Sequence, residues 1–91
     1  LTQNQNDVDA VSNRGAANYQ LNKFNESIMD FTQAIRLQPQ VSNHYANRAF
    51  VYKRTGDKQS AYNDAVKAES LGYKFADGFT QVGKLRVIAH G

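Results

Sequence analysis

The sequence predicts an all-α fold: an α-solenoid of stacked antiparallel helix hairpins with about five helices. Three observations predict this class. Apolar residues recur every three or four positions along most of the 91-residue chain, which is the period of an amphipathic helix. Glycine and proline interrupt that pattern at short intervals. The chain also matches itself at an offset of 34 residues, which is typical of stacked helical repeats.

The internal repeat is carried by identical residues and by residues of similar size. At the 34-residue offset the identical pairs are Asn13/Asn47, Arg14/Arg48, Asp30/Asp64, Ala34/Ala68 and Leu37/Leu71. Small residues face small ones at Gly15/Ala49 and Ser27/Ala61, and a further step of 34 residues reaches Gly83. We therefore expect one domain over residues 1–91, made of a first repeat at about 7–40, a second at about 41–74, and a capping helix or partial third repeat at about 75–90.

The first repeat predicts two helices separated by a turn. Helical spacing of the apolar residues predicts a helix over about 7–21. The stretch NKFN at 22–25 interrupts this pattern, and a second apolar stripe predicts a helix over about 25–37. Pro39 cannot continue a helix and restricts the residue before it, so we expect the chain to turn there.

The second repeat predicts the same order of elements. Ser42 is a suitable N-cap for a helix over about 43–54. Gly56 permits a left-handed turn, and Asp57 can cap the helix that follows. The remaining predicted helices lie at about 58–71, ended by Gly72, and at about 75–89.

Small residues are predicted where the helices of a hairpin cross, because two helices approach closely only over short side chains. Large residues such as Phe24, Tyr45 and Tyr52 would fill the gaps between hairpins. The residues expected to carry the structural repeat are Gly15, Phe31, Ala34, Pro39, Ala49, Ala61, Ala68 and Gly83.

The order of residues within each repeat carries a family resemblance. The first repeat offers Val11, Arg14, Gly15 and Asn18, then Ser27, Phe31, Ala34 and Pro39. The second offers Tyr45, Arg48, Ala49 and Tyr52, then Ala61, Ala65 and Ala68, with Tyr73 where a proline is common. This pattern resembles the tetratricopeptide repeat, whose signature is W-x2-L-G-x2-Y, then A-x3-F, then P.

Several positions depart from the signature. Arg14 and Arg48 stand where leucine is usual, and Asn18 replaces an aromatic residue. Ala65 replaces the usual phenylalanine. Since a charge at a packing position needs a partner, and since Asp30 and Asp64 recur in the same register, we expect repeated Arg–Asp pairs.

The resemblance implies a concave groove, lined by the first helix of each hairpin, that holds a peptide or a helix of a partner protein. It places in that groove the candidate partner-binding residues Asn13, Tyr19, Asn43, Asn47, Phe50, Lys53, Arg54, Gln81 and Lys84. Asn13, Asn47 and Gln81 occupy equivalent positions, and a row of amides can pair with the backbone of an extended peptide. The alternative is that these amides serve local hydrogen bonds.

Phe50 and the cations Lys53, Arg54 and Lys84 predict an aromatic anchor beside a positive patch, which favours an acidic or aromatic-containing segment. The alternatives are that Phe50 packs on a neighbouring helix and that the cations form a solvated face. A subgroup of the family grips the C-terminal carboxylate of chaperones with a lysine and asparagines. Ser12 and Ala16 stand where that clamp needs lysine and asparagine, although Asn47 fits, so we expect the clamp to be absent.

Composition excludes several kinds of site. The chain has no cysteine, and its two histidines are far apart, so we expect neither a metal site nor a cofactor. We expect no enzyme, since there is no glycine-rich phosphate loop, nucleophile elbow or metal-binding helix motif. A net charge of +3 is too mild to indicate a nucleic-acid partner. No apolar run is long enough to indicate a membrane partner.

The sequence therefore predicts a protein–protein interaction module, with a protein or peptide partner of unknown identity. The alternative is a self-assembling scaffold that forms a homodimer through its last helix, which is apolar over more than one face. Because the chain opens on Leu1 rather than Met, we expect a piece of a longer protein. Targeting signals can then lie elsewhere, so localisation stays open, with the cytoplasm favoured.

Overall fold

The computed structural model describes residues 7–75, which form four α-helices joined by short turns. Helix α1 spans Val8–Gln20, α2 spans Phe24–Leu37, α3 spans Ser42–Thr55 and α4 spans Lys58–Ser70. Within this part of the chain there is no strand, and the prediction of an all-α helical-repeat fold is confirmed. The predicted fifth helix begins at Phe75, which is the last described residue and is not helical; the rest of that helix lies outside the described residues.

The helices form two hairpins that pack side by side. Helix α1 packs on α2, α2 on α3, and α3 on α4. The first residues of α1 and α3 are Val8 and Ser42, and those of α2 and α4 are Phe24 and Lys58, so both pairs are separated by 34 residues. The sequence offset is therefore also the offset at which helices begin.

The turns follow the backbone preferences of their residues. Asn22 has φ 63°, a left-handed conformation that asparagine tolerates better than most residues. Gly56 ends α3 with φ 88°, and the Asp57 carboxylate accepts a hydrogen bond from the Ser60 N–H at 3.1 Å. Hydrogen bonding from Ser60 lowers the pKa of Asp57. The predicted turn and cap at Gly56 and Asp57 are confirmed.

Helices α2 and α3 each begin one residue earlier than the sequence predicts. Ser42 is not the N-cap but the first residue of α3, and Val41 precedes it without a side-chain capping bond. The N–H of Val41 bonds to the Gln38 carbonyl, and the N–H of His44 bonds to the Val41 carbonyl, so the turn closes early enough for Ser42 to be helical. Helix α2 likewise starts at Phe24, so the interruption is shorter than the NKFN stretch.

Helix α2 packs closely against α1 at Gly15. A Cβ atom there would lie 2.9 Å from Cζ of Phe31 and 3.2 Å from Cβ of Asp30. The buried hydroxyl of Ser27 donates a hydrogen bond of 2.8 Å to the Gly15 carbonyl. The two backbones are thus separated by little more than one side-chain layer, which is what small residues at a crossing permit.

The second hairpin solves the same packing problem with different residues. Ala49 and Ala65 stand where the first hairpin has Gly15 and Phe31, and both alanines are buried. Phe75, which follows α4, packs against this alanine pair. The volume that the Phe31 ring supplies in the first hairpin is therefore supplied in the second by a ring that comes from farther along the chain.

Both predicted Arg–Asp pairs are present. Nε and Nη2 of Arg14 donate to one carboxylate oxygen of Asp30, at 3.0 and 2.8 Å, and the Asn18 amide donates to the other at 2.9 Å. In the second hairpin, Nε and Nη2 of Arg48 donate to separate oxygens of Asp64, at 2.7 and 2.9 Å. The carboxylates are buried, and their hydrogen bonds raise the pKa of each arginine.

The two arginines differ in what surrounds them. Nη1 of Arg48 also donates to the Thr32 hydroxyl at 3.0 Å, so this guanidinium joins α3 to α4 and to α2 of the preceding hairpin. Its side chain is 19% exposed, whereas that of Arg14 is 61% exposed. Arg48 therefore links the two hairpins, whereas the hydrogen bonds of Arg14 stay within the first hairpin.

We expect Arg48→Met to destabilise the fold far more than Arg14→Met. Loss of Arg48 leaves the buried Asp64 carboxylate unpaired, which typically costs about 3–5 kcal/mol. After Arg14→Met the buried Asp30 carboxylate keeps the hydrogen bond from the Asn18 amide. The Arg14 side chain that is lost is itself 61% exposed, so we expect a smaller loss of stability than for Arg48→Met. Urea unfolding of the two variants measures the difference.

A double variant tests whether the loss of stability comes from the unpaired carboxylate. Arg48→Met combined with Asp64→Leu removes the stranded charge and should recover much of the lost stability, since apolar pairs often replace buried ion pairs at little cost. Equal losses of stability for Arg48→Met and Arg14→Met would show that the Arg48–Asp64 and Arg14–Asp30 pairs contribute alike.

Candidate functional site

A pocket of about 320 Å³ lies between α1 and α3. It is lined by Ala16, Tyr19 and Gln20 of α1, by Phe31 of α2, and by Asn47, Phe50 and Val51 of α3. The lining is mainly apolar, includes two amides, and has no ionisable group apart from the Tyr19 phenol. We call it the α1–α3 pocket. Its chemistry suits an apolar side chain whose backbone can hydrogen-bond to nearby amides.

The two helices that form the pocket run in the same direction. The charge of Asp9, near the start of α1, acts on His44 near the start of α3. Near the other ends, the Arg54 guanidinium lies over the Tyr19 ring. Helix α2 returns between them, so residues 34 positions apart stand at the same level of the groove.

The pocket arises from a difference between the two repeats. Ala16 and Phe50 are equivalent at the 34-residue offset, and both line the pocket. An alanine in α1 leaves space that a second phenylalanine would fill. The Phe31 ring reaches the same space because Gly15 has no side chain to cover it. The cavity thus exists where the first repeat is smaller than the second.

The amides predicted to contact a partner have no local hydrogen bond within residues 7–75: neither the Asn13 nor the Asn47 side chain has a polar partner there. Asn47 lines the α1–α3 pocket, whereas Asn13 is exposed and outside it. The Asn47 amide is therefore available at the pocket wall, and the alternative of local hydrogen bonding finds no support among these residues.

Arg54 is held against two aromatic rings at the C-terminal end of the groove. Its Cζ atom lies 5.5 Å from the Tyr19 centroid and 5.2 Å from the Phe24 centroid. Those two rings meet edge to face with centroids 5.9 Å apart. Cation–π attraction to both rings restrains an otherwise exposed side chain. The positive charge at this end of the groove therefore has a fixed place.

His44 occupies the opposite end. It is buried, and its Nε2 is 2.9 Å from the Gln38 side-chain oxygen. Its Nδ1 is buried and has no hydrogen-bond partner among residues 7–75. Burial lowers the pKa of His44, and the nearby Asp9 carboxylate opposes that shift. His44 is thus a core residue whose burial favours the neutral form, and it belongs to no group of three potential metal ligands among residues 7–75.

The structure brings only part of the predicted site together. Tyr19, Asn47 and Phe50 meet at the pocket, and Arg54 adjoins it through Tyr19. Phe50 also packs edge to face on Phe75, with centroids 5.8 Å apart, so it has a packing contact as well as a pocket face. The other predicted contacts divide into exposed residues outside the pocket, Asn13, Asn43 and Lys53, and residues beyond the described part, Gln81 and Lys84.

The predicted structural residues are placed as follows. Phe31, Ala34, Ala49, Ala61 and Ala68 are buried, as is Gly15. Pro39 is exposed in the turn after α2, where its carbonyl accepts a hydrogen bond from the Tyr45 hydroxyl at 2.8 Å. Gly83 lies outside the described residues, as does most of the last helix that the homodimer hypothesis requires.

Sequence reasoning missed Phe31 and Val51 as pocket residues and Phe24 as a support for Arg54. Phe31 and Val51 were assigned to no binding role because buried apolar residues normally serve a core. The signal that could have found the pocket is the Ala16/Phe50 pair, the one groove position where a small residue is aligned with a large ring. No comparable signal points to Phe24.

Two kinds of site are not found among residues 7–75. No group of three or more His, Asp or Glu side chains is placed to hold a metal ion there. None of the four described helices combines the length and apolar character that crossing a bilayer requires.

Comparison with known proteins finds similarity to a chaperone-organizing protein. No protein-family model matches this sequence. The chain is 30% identical over 79 residues to the Hsp70-Hsp90 organizing protein of Triticum aestivum, an alignment that covers 87% of this chain. The chain spans 14% of the length of that protein.

We expect the stability of the fold to fall between about pH 7 and 5 because of His44. Its folded-state pKa lies below the ordinary value of 6.5, so the unfolded chain binds the proton first as pH drops. More protons on the unfolded state means that the free energy of unfolding decreases as pH decreases. Urea unfolding at several pH values measures the slope.

Two variants isolate the histidine. His44→Gln stays neutral in both states and should flatten the slope, although its overall stability is lower because the packing changes. Asp9→Asn removes the charge that favours the imidazolium and should steepen the slope. An unchanged slope in His44→Gln would mean that other groups cause the pH dependence.

Proposed function

We propose that this chain is a non-catalytic protein-interaction module of the tetratricopeptide-repeat type, and that it holds a segment of a partner protein in the groove between α1 and α3. The observation that carries the proposal is the α1–α3 pocket. It lies between the first helices of the two hairpins, where the resemblance places the concave surface, and it contains three predicted contacts: Tyr19, Asn47 and Phe50.

The repeat organisation supports the proposal. The helices begin at a 34-residue interval, and the Arg–Asp pairs recur at the same interval. We propose repeat boundaries at about 7–40 and 41–74, with residues 75–90 as a cap or partial third repeat. Each repeat would then contribute one groove-lining helix, so a bound segment would touch both hairpins.

The relative supports a role in protein assembly and leaves the partner open. Its name describes a protein that organizes Hsp70 and Hsp90, which fits a module that binds other proteins. Ser12 and Ala16 stand where a chaperone-tail clamp needs lysine and asparagine, and Ala16 lines an apolar pocket. The proposal is therefore a groove that takes an apolar side chain of a partner segment.

We expect Ala16→Phe to abolish binding by filling the α1–α3 pocket. Phenylalanine already stands at the equivalent position 50, and Ala16 is exposed, so the fold should tolerate the change. The binding segment is first mapped on peptide arrays of a protein retained by immobilised wild-type chain. Fluorescence anisotropy with that peptide should then show a loss of at least about tenfold, the scale of burying one large apolar side chain.

Met29→Phe is the matched control. Met29 is 69% exposed and lines a separate depression formed by α1 and α2, so enlarging it should leave the affinity unchanged. Loss of binding in Met29→Phe with none in Ala16→Phe would place the partner on the outer surface and refute the groove.

We expect Asn47→Ala to weaken binding of the same peptide by about 3- to 10-fold, the scale of one net hydrogen bond of ~0.5–1.5 kcal/mol. Its melting temperature should stay near that of the wild type, since the amide bonds no side chain in the described part. Asn18→Ala should do the reverse, because the Asn18 amide bonds the buried Asp30 carboxylate. A large drop in melting temperature for Asn47→Ala would assign Asn47 to structure.

A further inference from the structure

The cation at the C-terminal end of the groove contacts two aromatic rings. The Arg54 guanidinium lies over the faces of two rings, 5.5 Å from the Tyr19 centroid and 5.2 Å from the Phe24 centroid. Tyr19 belongs to α1 and Phe24 to α2, whereas Arg54 belongs to α3. The contact therefore bridges the two hairpins, and both of them determine where the charge sits.

This arrangement involves the two rings and no carboxylate of the described residues. Stacking uses the flat faces of the group, whereas its N–H donors point outward in the plane. Within residues 7–75 no carboxylate lies within 4.0 Å of Arg54, while Arg14 and Arg48 each bond an aspartate. Of these three arginines, Arg54 is thus the one with an exposed, restrained and unneutralised fork.

A planar fork of this kind fits a carboxylate, which it can bind through two parallel hydrogen bonds. Restraining the side chain in advance lowers the entropy lost on binding. The position along the groove also favours an anion here, because the acidic residue Asp9 lies at the opposite end of α1. An acidic group of a partner would be attracted to the Arg54 end and repelled from the Asp9 end.

Tyr19 places this cation beside the α1–α3 pocket. The same residue lines the pocket and lies beneath Arg54. The Arg54 guanidinium and the pocket are thus neighbours along the groove, within reach of nearby residues of one extended segment. A carboxylate on Arg54 would therefore belong to a residue close in sequence to the one in the pocket.

We propose that Arg54 binds an aspartate or glutamate side chain of the partner segment, close in sequence to an aromatic or large aliphatic residue that occupies the α1–α3 pocket. The inference rests on the proposed function, since it assumes that the groove binds a segment. It specifies an internal acidic residue next to an apolar anchor, so a free C-terminal carboxylate is not required.

The probe is a phage-displayed library of random 12-residue peptides, selected on the 91-residue chain. The best peptide is synthesised with an amidated C-terminus, together with a version in which its acidic residue becomes the amide. Arg54→Gln should bind the acidic peptide about tenfold more weakly, the scale of a charge-assisted hydrogen bond. The same variant should bind the amide peptide within about twofold of the wild type.

Three controls distinguish the effect of the Arg54 charge from loss of the fold, from general electrostatics and from the shape of the side chain. Arg36→Gln makes the same charge change at an exposed arginine that lines the α1–α2 depression, and it should leave both affinities unchanged. The amide peptide reports on the integrity of the groove, because an unfolded variant would lose both peptides. Arg54→Lys keeps the charge without the planar fork, and it should still weaken the acidic peptide.

The outcomes distinguish this inference from the proposed function. Selected peptides that pair an apolar residue with an acid, and that lose affinity in Arg54→Gln, support both. A second outcome is that the selected peptides lose affinity in Ala16→Phe yet carry no acidic residue, or bind Arg54→Gln as well as the wild type. That result would overturn the role of Arg54 and leave the proposed groove standing. Failure to recover any peptide that depends on the pocket overturns both.

Discussion

The fold depends on how closely paired helices can approach. At Gly15 the distance is so short that a single methyl group would press on the Phe31 ring and on Asp30. The Ser27 hydroxyl bonds the Gly15 carbonyl at that level, which satisfies a polar group that the crossing buries. The absent side chain and the short polar one together set the separation of α1 and α2. The ring of Phe31 and the Arg14–Asp30 pair take their positions from that separation.

The second hairpin shows that the requirement concerns volume and not a particular residue. Ala49 and Ala65 replace glycine and phenylalanine, and Phe75 brings back the missing ring from outside the hairpin. The ring that position 65 lacks is thus supplied in space by a residue from farther along the chain. The α1–α3 pocket depends on a difference in side-chain size between the repeats: the first has Ala16 where the second has Phe50. The pocket therefore lies where the repeats differ, and the scaffold is formed where they agree.

Most of the scaffold could be predicted from the sequence because it depends on local spacing. Helix periodicity, the Gly56–Asp57 turn and the Arg–Asp register are properties of residues a few turns apart, and the structure confirms them. The start of α3 could not be predicted, because a hydrogen bond between Gln38 and Val41 decides it. The Arg54 contacts could not be predicted either. They depend on the angle between hairpins, which a 34-residue offset does not specify.

The Phe50 ring contacts both the α1–α3 pocket and Phe75, so the two environments are energetically coupled. One part of its ring lines the α1–α3 pocket, and the ring also packs edge to face on Phe75 beyond α4. A guest that shifts the ring alters both environments, so occupancy of the cavity and anchoring of the distal segment share a coupling free energy. Such coupling is reciprocal by linkage. Whatever tightens or loosens the attachment of the chain after Leu71 would tune affinity at a distance, without any direct contact with the guest.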